Sequence, residues 1–346
     1  MLAALLVLAL LVALPSSAAA DDRGTFTNPI AERGADPWLT YYKGNYYLMA
    51  STFGENRLTM RKSRTLAGLR TAPFAEIYKS TDPSHCCLVW APEFHLLDGP
   101  HGKRWYVYFT AGDGEIDNQR SHVLESEGTD PMGPYHYMGR LFDPAQDTFQ
   151  LDGSVLRLNG KLYFIASQVD GVLPQSLSIY PMTNPWTVAP PRKVISQPEH
   201  DWENVGSDIL GFGVNEAPVQ LRHGRRNFIV YSASYCATDS YALGLLTYRG
   251  GDPTEASSWS KSPEPVFEGS PENGVWSPGH NGFFKSPDGS EDWIVYHGNP
   301  SPEPNCGPGR TARAQRFTWN RDGTPNFGTP VPLGVPLRAP SGEKGW

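Results

Sequence analysis

One pattern recurs five times along the chain. Each copy starts with a polar residue and continues as a β-hairpin whose second strand is rich in aromatic and β-branched residues. Glycine-containing turn signals mark the hairpin tips. The copies are DPWLTYYKGNYYLMAS from Asp36, EFHLLDGPHGKRWYVYFTAG from Glu93, DGSVLRLNGKLYFIAS from Asp152, EAPVQLRHGRRNFIVYSAS from Glu216 and HNGFFKSPDGSEDWIVYHGN from His280. Such a repeat indicates a fold built from several copies of one supersecondary unit.

The spacing of the copies is regular. Their opening residues lie 57, 59, 64 and 64 positions apart (36 to 93, 93 to 152, 152 to 216, 216 to 280). A third strand is predicted after each hairpin, from Leu58, Ser121, Leu177, Ala242 and Ala312, and a weaker fourth can follow, as at Glu76 and Pro265. Four strands per repeat are typical of a propeller blade. The sequence therefore predicts an all-β, five-bladed β-propeller in a single domain, residues 21–346.

The first twenty residues, MLAALLVLALLVALPSSAAA, are uncharged and end in small residues. This pattern predicts a secretory signal peptide over residues 1–20 and a secreted, extracellular protein. No second long apolar segment follows, so a membrane protein is not expected. The chain has 36 Asp and Glu against 29 Lys and Arg and no long basic run, which argues against a nucleic-acid partner. A monomer is expected.

The four cysteines of an exported chain can form disulfides, and none has the spacing of a zinc site. Cys236 and Cys306 are the better-motivated pair, because each falls just after the hairpin of neighbouring repeats. A bond between the adjacent Cys86 and Cys87 would strain the peptide that joins them, so it competes with separate partners for each. The connectivity stays open at this point.

Equivalent positions of propeller blades converge at one end of the central channel, because the first strand of each blade lines that channel. The opening residues Asp36, Glu93, Asp152, Glu216 and His280 are therefore expected to meet. Four carboxylates and an imidazole in one funnel are electrostatically costly, which indicates a functional site. Asp36 could alternatively cap a turn, and His280 could be a hydrogen-bonded core histidine, but the fivefold recurrence favours function.

Paired carboxyl groups at a funnel suit glycosidic bond cleavage. Glu216 lies in the apolar run VNEAPV, which should raise its pKa, so it is the candidate general acid, with Asp36 as the general base. Asp152 would orient the sugar and keep the acid protonated. Two blades separate Asp36 from Glu216, which leaves room for water and predicts inversion. Glu93 is left out, because an axial carboxylate can be structural or ion-binding.

Three further side chains are candidates for sugar binding. Phe53 and Trp90 lie beside channel-facing segments and could serve as aromatic platforms, although core packing is the default for aromatic residues. Gln175 could donate a hydrogen bond to the sugar.

Five motifs, one per blade, carry a resemblance to glycoside hydrolase family 43 over nearly the whole chain after residue 20. They are ADPW at 35–38, WAPE at 90–93, DGSV at 152–155, NEAP at 215–218 and GHN at 279–281. The resemblance implies an inverting propeller with Asp36 as base, Asp152 as pKa modulator and Glu216 as acid, without a cofactor for the chemistry. It also implies that Arg310 in GRTARAQ pairs with the sugar or with Asp152. An ion occupies the channel in some relatives, so the resemblance implies a structural calcium near His280, bound through water.

Segments such as SRTLAGLRTA, YALGLLT and EDWIVYH resemble the branch of exo-acting α-L-arabinofuranosidases. The expected substrate is plant cell-wall arabinan or arabinoxylan, and the insertions at 112–120 and 201–213 are expected to wall the funnel and favour exo action. A β-D-xylosidase is the alternative enzyme. Family 43 xylosidases usually carry a further C-terminal β-sandwich, and the chain ends at Trp346, which favours the arabinofuranosidase. A carbohydrate-binding propeller without catalysis is the other alternative.

Overall fold

A computed structural model describes residues 24–171 and 174–344 of the chain. The expected signal peptide, residues 1–20, lies outside the described residues. The described part contains five consecutive antiparallel sheets, each formed by neighbouring strands in chain order, and one short two-stranded sheet. No helix in the described part is long and apolar enough to cross a membrane. The predicted all-β, five-bladed propeller is confirmed.

Each blade is an antiparallel meander that starts at the channel and ends at the rim. Blade one contains β2 Trp38–Tyr42, β3 Asn45–Met49, β4 Leu58–Ser63 and β5 Ala75–Tyr78, after the N-terminal β1 Thr25–Thr27. Blade two contains β6 Cys87–Gly99, β7 Gly102–Gly112, β8 Arg120–Ser126 and β9 Tyr135–Arg140. Blade three contains β10 Gln150–Leu158, β11 Lys161–Gln168, β12 Ser176–Asn184, β13 Thr187–Val188 and β14 Lys193–Ser196.

The last two blades are built in the same way. Blade four contains β15 Asn215–His223, β16 Arg226–Ala233, β17 Ala242–Tyr248 and β18 Trp259–Lys261. Blade five contains β19 Trp276–Lys285, β20 Asp292–Asn299, β21 Thr311–Trp319 and β22 Pro325–Asn326, followed by β23 Pro336–Arg338. Among the described residues, the one α-helix, α1 Ser207–Leu210, is a single turn, and the 3-10 turns are Ala67–Arg70, Pro83–His85, Ile116–Asn118, Asp201–Glu203, Ala256–Ser258 and Pro271–Asn273.

The core lies between the blades. The middle strands are buried on both faces, as in β16, where seven of the eight residues are buried. This is why the second strand of each hairpin is a continuous apolar run rather than an alternating one. One cluster joins Leu156, Ile165 and Ile179 of blade three to Ile229 and Leu246 of blade four. Burial of such apolar surface is the main driving force for the ring of blades.

Non-covalent contacts between the two ends of the chain close the ring. Ala31 forms a bridge with Ala312, and β1 pairs with β23. The Asn28 side chain donates to the Ala314 carbonyl and accepts from the Ala314 amide, both at 2.9 Å. A side chain that mimics a strand partner in this way fixes the register of the closure.

The predicted fourth strand at Pro265 is wrong. The fourth strand of blade four is β18, which pairs with β17 through Leu246, Thr247 and Tyr248. The segment after Pro265 forms only an isolated bridge between Phe267 and Leu243. The aromatic and β-branched residues of this segment are explained by burial, since Phe267 packs edge-to-face on Tyr296 of blade five.

In every blade, a residue in or just before the inner strand has left-handed backbone at the mouth of the channel. These residues are Asp36, Ala91, Asp152, Ala217 and His280, with φ between 46° and 55°. Non-glycine residues rarely adopt this conformation, and such strain is concentrated at functional sites. Its recurrence in all five blades shows that the kink is part of the repeat and directs the strand ends toward the axis.

These kinks correct the predicted alignment of blade two. The motifs align as Ala91-Pro92 with Ala217-Pro218, so the counterpart of Glu216 is Trp90 and not Glu93. Glu93 lies two residues past the kink and deeper in the channel, in the same position as Ser154 of blade three. The error arose because β6 starts as early as Cys87, and its irregular register between Trp90 and Glu93 is invisible in the sequence pattern.

All four cysteines are paired. Cys236 forms a disulfide with Cys306, as the sequence favoured, and links blade four to blade five. The remaining pair is Cys86–Cys87, the bond between adjacent residues that the sequence left open.

Candidate active site

A cavity of about 320 Å³ lies at the end of the channel where the kinks converge. Its size is at the lower end of the range for small-ligand pockets. The lining residues come from all five blades or the loops that follow them. They are Asp36, Phe53, Trp90, Leu151, Asp152, Glu216, Cys236, His280, Cys306 and Arg310. Three carboxyl groups that are distant in sequence thus face one hollow.

Asp36 is held in its charged form. Its Oδ1 accepts a 2.8 Å hydrogen bond from Arg310 Nη1, and its Oδ2 accepts a 2.6 Å bond from the Ser51 hydroxyl. Burial acts to raise its pKa, but the charge of Arg310 and the contacts with His280 and His297 hold that pKa well below the usual range. A carboxylate that stays ionised in a cavity can accept a proton from water.

The pKa of Glu216 is shifted in the opposite direction. Burial is the largest effect on its carboxyl group and raises its pKa, and the negative charge of Asp36 acts in the same direction. Two donors limit this shift: the Tyr241 hydroxyl at 2.7 Å from Oε1 and the Gln175 amide at 2.9 Å from Oε2. The carboxyl group is therefore oriented by two fixed partners and retains a proton to a higher pH than an ordinary glutamate side chain.

Asp152 lies between these two groups in the ring. Its Oδ2 accepts a 3.1 Å bond from the Ala217 amide, the residue that follows Glu216, and its own amide donates to Thr110. Burial raises the pKa of Asp152 well above its usual value, and the charges of Glu216 and Asp36 raise it further. The Asp152–Glu216 pair therefore retains a proton more readily than either carboxyl group would alone.

Two buried imidazoles flank Asp36. His280 Nδ1 lies 3.3 Å from Asp36 Oδ1 and 3.9 Å from Asp152 Oδ2. His297 Nδ1 accepts a 3.2 Å hydrogen bond from the Asp36 amide. Burial lowers the pKa of His280 to about 4 and that of His297 to about 3, so both rings are neutral near pH 7. His280 thus bridges two carboxyl groups without adding a charge.

The residues near His280 do not form a direct ligand set for the expected calcium. Within residues 24–171 and 174–344, no group of three or more His, Cys, Asp or Glu side chains is arranged to hold a metal ion. The carboxyl oxygens closest to His280 are already engaged by Arg310 and by the Ala217 amide. An imidazole nitrogen is also a poor ligand for a hard cation, which prefers oxygen.

Glu93 lies outside the cavity. It is 4% exposed, and its Oε2 accepts a 2.6 Å bond from Ser154 and lies 2.9 Å from His95 Nε2. Burial raises the pKa of Glu93 well above its usual value. These contacts join blades two and three at the axis through a buried carboxyl group.

The predicted sugar-binding residues have different positions. Phe53 and Trp90 both line the cavity, with ring centroids 6.4 Å apart. Gln175 and Arg310 contact the carboxyl groups instead: Gln175 bonds to Glu216, and Arg310 bonds to Asp36 rather than to Asp152. Arg313, which shares the GRTARAQ motif, points away from the cavity and donates to the carbonyls of Gly298 and Asn299.

Several residues of this site are not indicated by the sequence pattern. Tyr241, His297 and Ser51 contact the carboxyl groups, yet they lie on or beside second and third strands, which the repeat pattern assigns to the core. The disulfide Cys236–Cys306 lines the cavity, although it was predicted only as a bridge. The insertions at 112–120 and 201–213 contribute no residue to the lining.

Comparisons with known proteins agree with this geometry. The family model Glycosyl hydrolases family 43 matches residues 26–325. The extracellular exo-α-(1→5)-L-arabinofuranosidase of Streptomyces avermitilis is 39% identical over 97% of this chain and 70% of its own length. The enzyme of the same name from Streptomyces chartreusis is 36% identical over 83% of this chain and 87% of its own length. The crystal structure of the α-L-arabinofuranosidase from Lactobacillus brevis superposes with a TM-score of 0.81 and 35% identity, covering 90% of this chain and 98% of that one. The chain therefore belongs to glycosyl hydrolase family 43.

Proposed function

We propose that this protein is an inverting, exo-acting α-L-arabinofuranosidase that releases terminal α-L-arabinofuranosyl units from arabinan or arabinoxylan. Asp36 is the general base, Glu216 the general acid and Asp152 the residue that keeps the acid protonated. The two Streptomyces relatives, 39% and 36% identical to this chain, are named as arabinofuranosidases, and both are named as extracellular. Secretion to reach a plant polysaccharide is part of the same proposal.

The proposed reaction is a single displacement. Glu216 gives its proton to the glycosidic oxygen while the bond between that oxygen and the anomeric carbon breaks. A water molecule attacks the anomeric carbon from the opposite face and gives a proton to Asp36. The products are free arabinose and the shortened chain, and the proton then returns from Asp36 to Glu216 through solvent.

One observation carries the assignment. Two carboxyl groups in the same cavity have pKa shifts in opposite directions, because desolvation at Asp36 is outweighed by the Arg310 cation together with the two flanking imidazoles, whereas desolvation and the charge of Asp36 outweigh the hydrogen bonds at Glu216. One is therefore an ionised base at a pH where the other still holds a proton. This is the electrostatic pattern by which acid and base are assigned in paired-carboxylate enzymes. A binding site without catalysis needs no such separation.

The shape of the cavity supports release of terminal units. The lining combines the disulfide Cys236–Cys306 with Arg310, Phe53 and Trp90, and the Arg310 guanidinium lies 5.5 Å from the centre of the Phe53 ring. A cavity of about 320 Å³ with such walls suits a chain end better than the interior of a polymer. Two relatives carry "exo" in their names, which agrees with this choice.

The proposed roles can be separated by the leaving group of the substrate. Glu216→Gln and Asp36→Asn are compared with the wild type on nitrophenyl α-L-arabinofuranoside and on linear arabino-oligosaccharides. A nitrophenolate leaves without protonation, so Glu216→Gln should lose far less activity on the aryl substrate than on the oligosaccharide. Asp36→Asn should lose activity on both, by roughly 10²-fold or more.

The matched control is Glu115→Gln, an exposed carboxylate on the loop after β7. It should leave both activities unchanged. If Glu216→Gln lost as much activity on the aryl substrate as on the oligosaccharide, as Asp36→Asn is expected to do, the assignment of Glu216 as acid would be contradicted. If both site variants kept the wild-type rates, the hydrolase mechanism would be refuted. Wild-type activity on aryl xyloside but not on aryl arabinofuranoside would favour a xylosidase.

A further inference from the structure

The disulfide between blades four and five lies in the wall of the cavity. Cys236 is in the loop between β16 and β17, and Cys306 is in the loop between β20 and β21. Both cysteines line the same hollow as Asp36 and Glu216, and both are partly exposed. A bridge that only stabilised the ring could have been placed anywhere along the blade boundary.

On the blade-five side, the backbone next to Cys306 orients Arg310. The carbonyl of Cys306 accepts a 2.7 Å hydrogen bond from Arg310 Nη2, and the carbonyl of Gly307 accepts from Nε at 3.2 Å. The third nitrogen, Nη1, is then directed at Asp36 Oδ1 at 2.8 Å. The planar guanidinium has a fixed fork of donors, so the position of these two carbonyls sets the direction of Nη1.

The loop that carries these carbonyls has few other anchors. Residues 300–309 contain no strand or helix, and the backbone is largely exposed. The described hydrogen bonds of this loop remain within residues 299–310: Asn305 donates to Asn299, and Gly307 donates to Asn305. Among the described bonds of residues 300–309, the disulfide is the one that connects this loop to another blade.

On the blade-four side, the partner loop is well anchored and leads to the acid. The Tyr235 amide donates to Val205 at 3.0 Å, and the Thr238 carbonyl accepts a 2.7 Å bond from Ser277. Three residues later, the Tyr241 hydroxyl donates to Glu216 Oε1. Cys236 therefore belongs to the rigid segment that also positions the hydroxyl on the general acid.

We propose that the Cys236–Cys306 disulfide is a positioning element of the reaction: it clamps the Arg310 loop to the rigid Tyr241 loop and so keeps the base aligned with the acid. Its two sulfur atoms also provide an apolar side of the sugar pocket. This inference rests on the proposed function. Removal of the bond should free the 300–309 loop and let the guanidinium leave Asp36, although neither cysteine touches a reacting atom.

The first test compares Cys236→Ser/Cys306→Ser with Cys86→Ser/Cys87→Ser, in which the other disulfide is removed. Neither Cys86 nor Cys87 lines the cavity, so the second variant should keep kcat and KM within about twofold. The first should lose roughly 10- to 100-fold in kcat, since displacement of a positioning group has effects of this size. Its acidic pH limb should also move to higher pH, because Asp36 loses the cation that keeps it ionised.

A second test avoids any dependence on folding of the double variant. The Cys86→Ser/Cys87→Ser protein retains only the cavity disulfide, so a dithiol reductant can break only that bond. Reduction transfers two electrons and two protons to the cystine and leaves the reductant as a cyclic disulfide. We expect activity to fall on reduction and to return on reoxidation, with the same shift of the acidic limb.

The outcomes separate this inference from the proposed function. If the wild type does not hydrolyse arabinofuranosides, the proposed function fails. If the wild type is active and the disulfide can be removed or reduced with unchanged kcat and an unchanged acidic limb, the inference is overturned, even if the melting temperature falls. In an Arg310→Met background, loss of the disulfide should produce no further shift of the limb, since both changes act through the same cation.

Discussion

Nη1 of Arg310 donates a 2.8 Å hydrogen bond to Oδ1 of Asp36, although 274 positions separate the two residues. The propeller makes this contact possible, because Asp36 opens the first blade while Arg310 immediately precedes the third strand of the fifth. Closure of the ring brings these blades side by side. The charge of the base is thus set by a residue that is distant in sequence but adjacent in the folded ring.

Arg310→Met should lower kcat/KM by roughly 10²-fold and shift the acidic limb of the pH profile to higher pH. Asp36 acts as a base only when ionised, so activity is present above its pKa and is lost below it. The charge of Arg310 lowers that pKa, so removal of the charge raises it. Arg316→Met, at an exposed arginine on the strand that follows Arg310, is the control and should change neither quantity. An unshifted limb in Arg310→Met would argue against the ion pair.

Tyr241→Phe should move the alkaline limb to higher pH. The acid works only while protonated, so activity is lost above the pKa of Glu216. The Tyr241 hydroxyl donates to the carboxylate and lowers that pKa, so its removal raises it. The pH dependence of kcat/KM on an oligosaccharide measures this shift. A limb that moves to lower pH would show that Tyr241 does not stabilise the ionised acid.

Gly279→Ala should damage both the fold and the acid. A Cβ at this position would lie 2.1 Å from the Tyr241 ring, so the ring that orients Glu216 would have to move. Overpacking of this kind costs about 1–3 kcal/mol in the free energy of unfolding. Gly128→Ala is the matched control, because nothing lies within 4 Å of a Cβ there. The free energy of unfolding in denaturant and kcat should be measured for both variants. If the two variants had the same values, the close contact between Gly279 and the Tyr241 ring would be contradicted.

Glu203→Gln should lower the free energy of unfolding by about 3–5 kcal/mol, because it leaves the Lys261 cation without its partner in the interior. Glu203 is fully buried and lies 2.9 Å from Lys261 Nζ and from Asn215 Nδ2. The exposed pair of Lys193 and Glu255 provides the control, since Glu255→Gln should cost less than about 1 kcal/mol. If both variants lost the same free energy of unfolding, the buried pair would stabilise the fold no more than the exposed pair does.

Much of the ring could be predicted because the repeat carries both the fold and the site. Asp36, Asp152 and His280 occupy equivalent kinked positions, and Glu216 lies one residue before its kink, so the spacing of the copies was enough to bring them together. Glu93 broke the pattern. The start of the inner strand is set by an irregular register that a hydrophobic pattern does not encode, so the opening residue of blade two was placed at Glu93, two residues past the kink at Ala91.

The supporting residues could not be predicted in the same way. Tyr241 and His297 look like ordinary aromatic positions of buried strands, and only the packing of neighbouring blades turns them toward Glu216 and Asp36. Gln175 was expected to contact sugar, but it donates to Glu216 because its backbone is paired with Val214, next to the inner strand of blade four. Contacts between blades depend on three-dimensional packing, which one sequence does not display.

The stereochemistry of hydrolysis tests the proposed mechanism most directly. Proton NMR can follow the first arabinose released from an α-L-arabinofuranoside, before the anomers equilibrate. If Asp36 activates water on the face opposite to the leaving group protonated by Glu216, the β-anomer appears first. Initial appearance of the α-anomer would mean that the configuration is retained and would contradict the assignment of Asp36 as a general base.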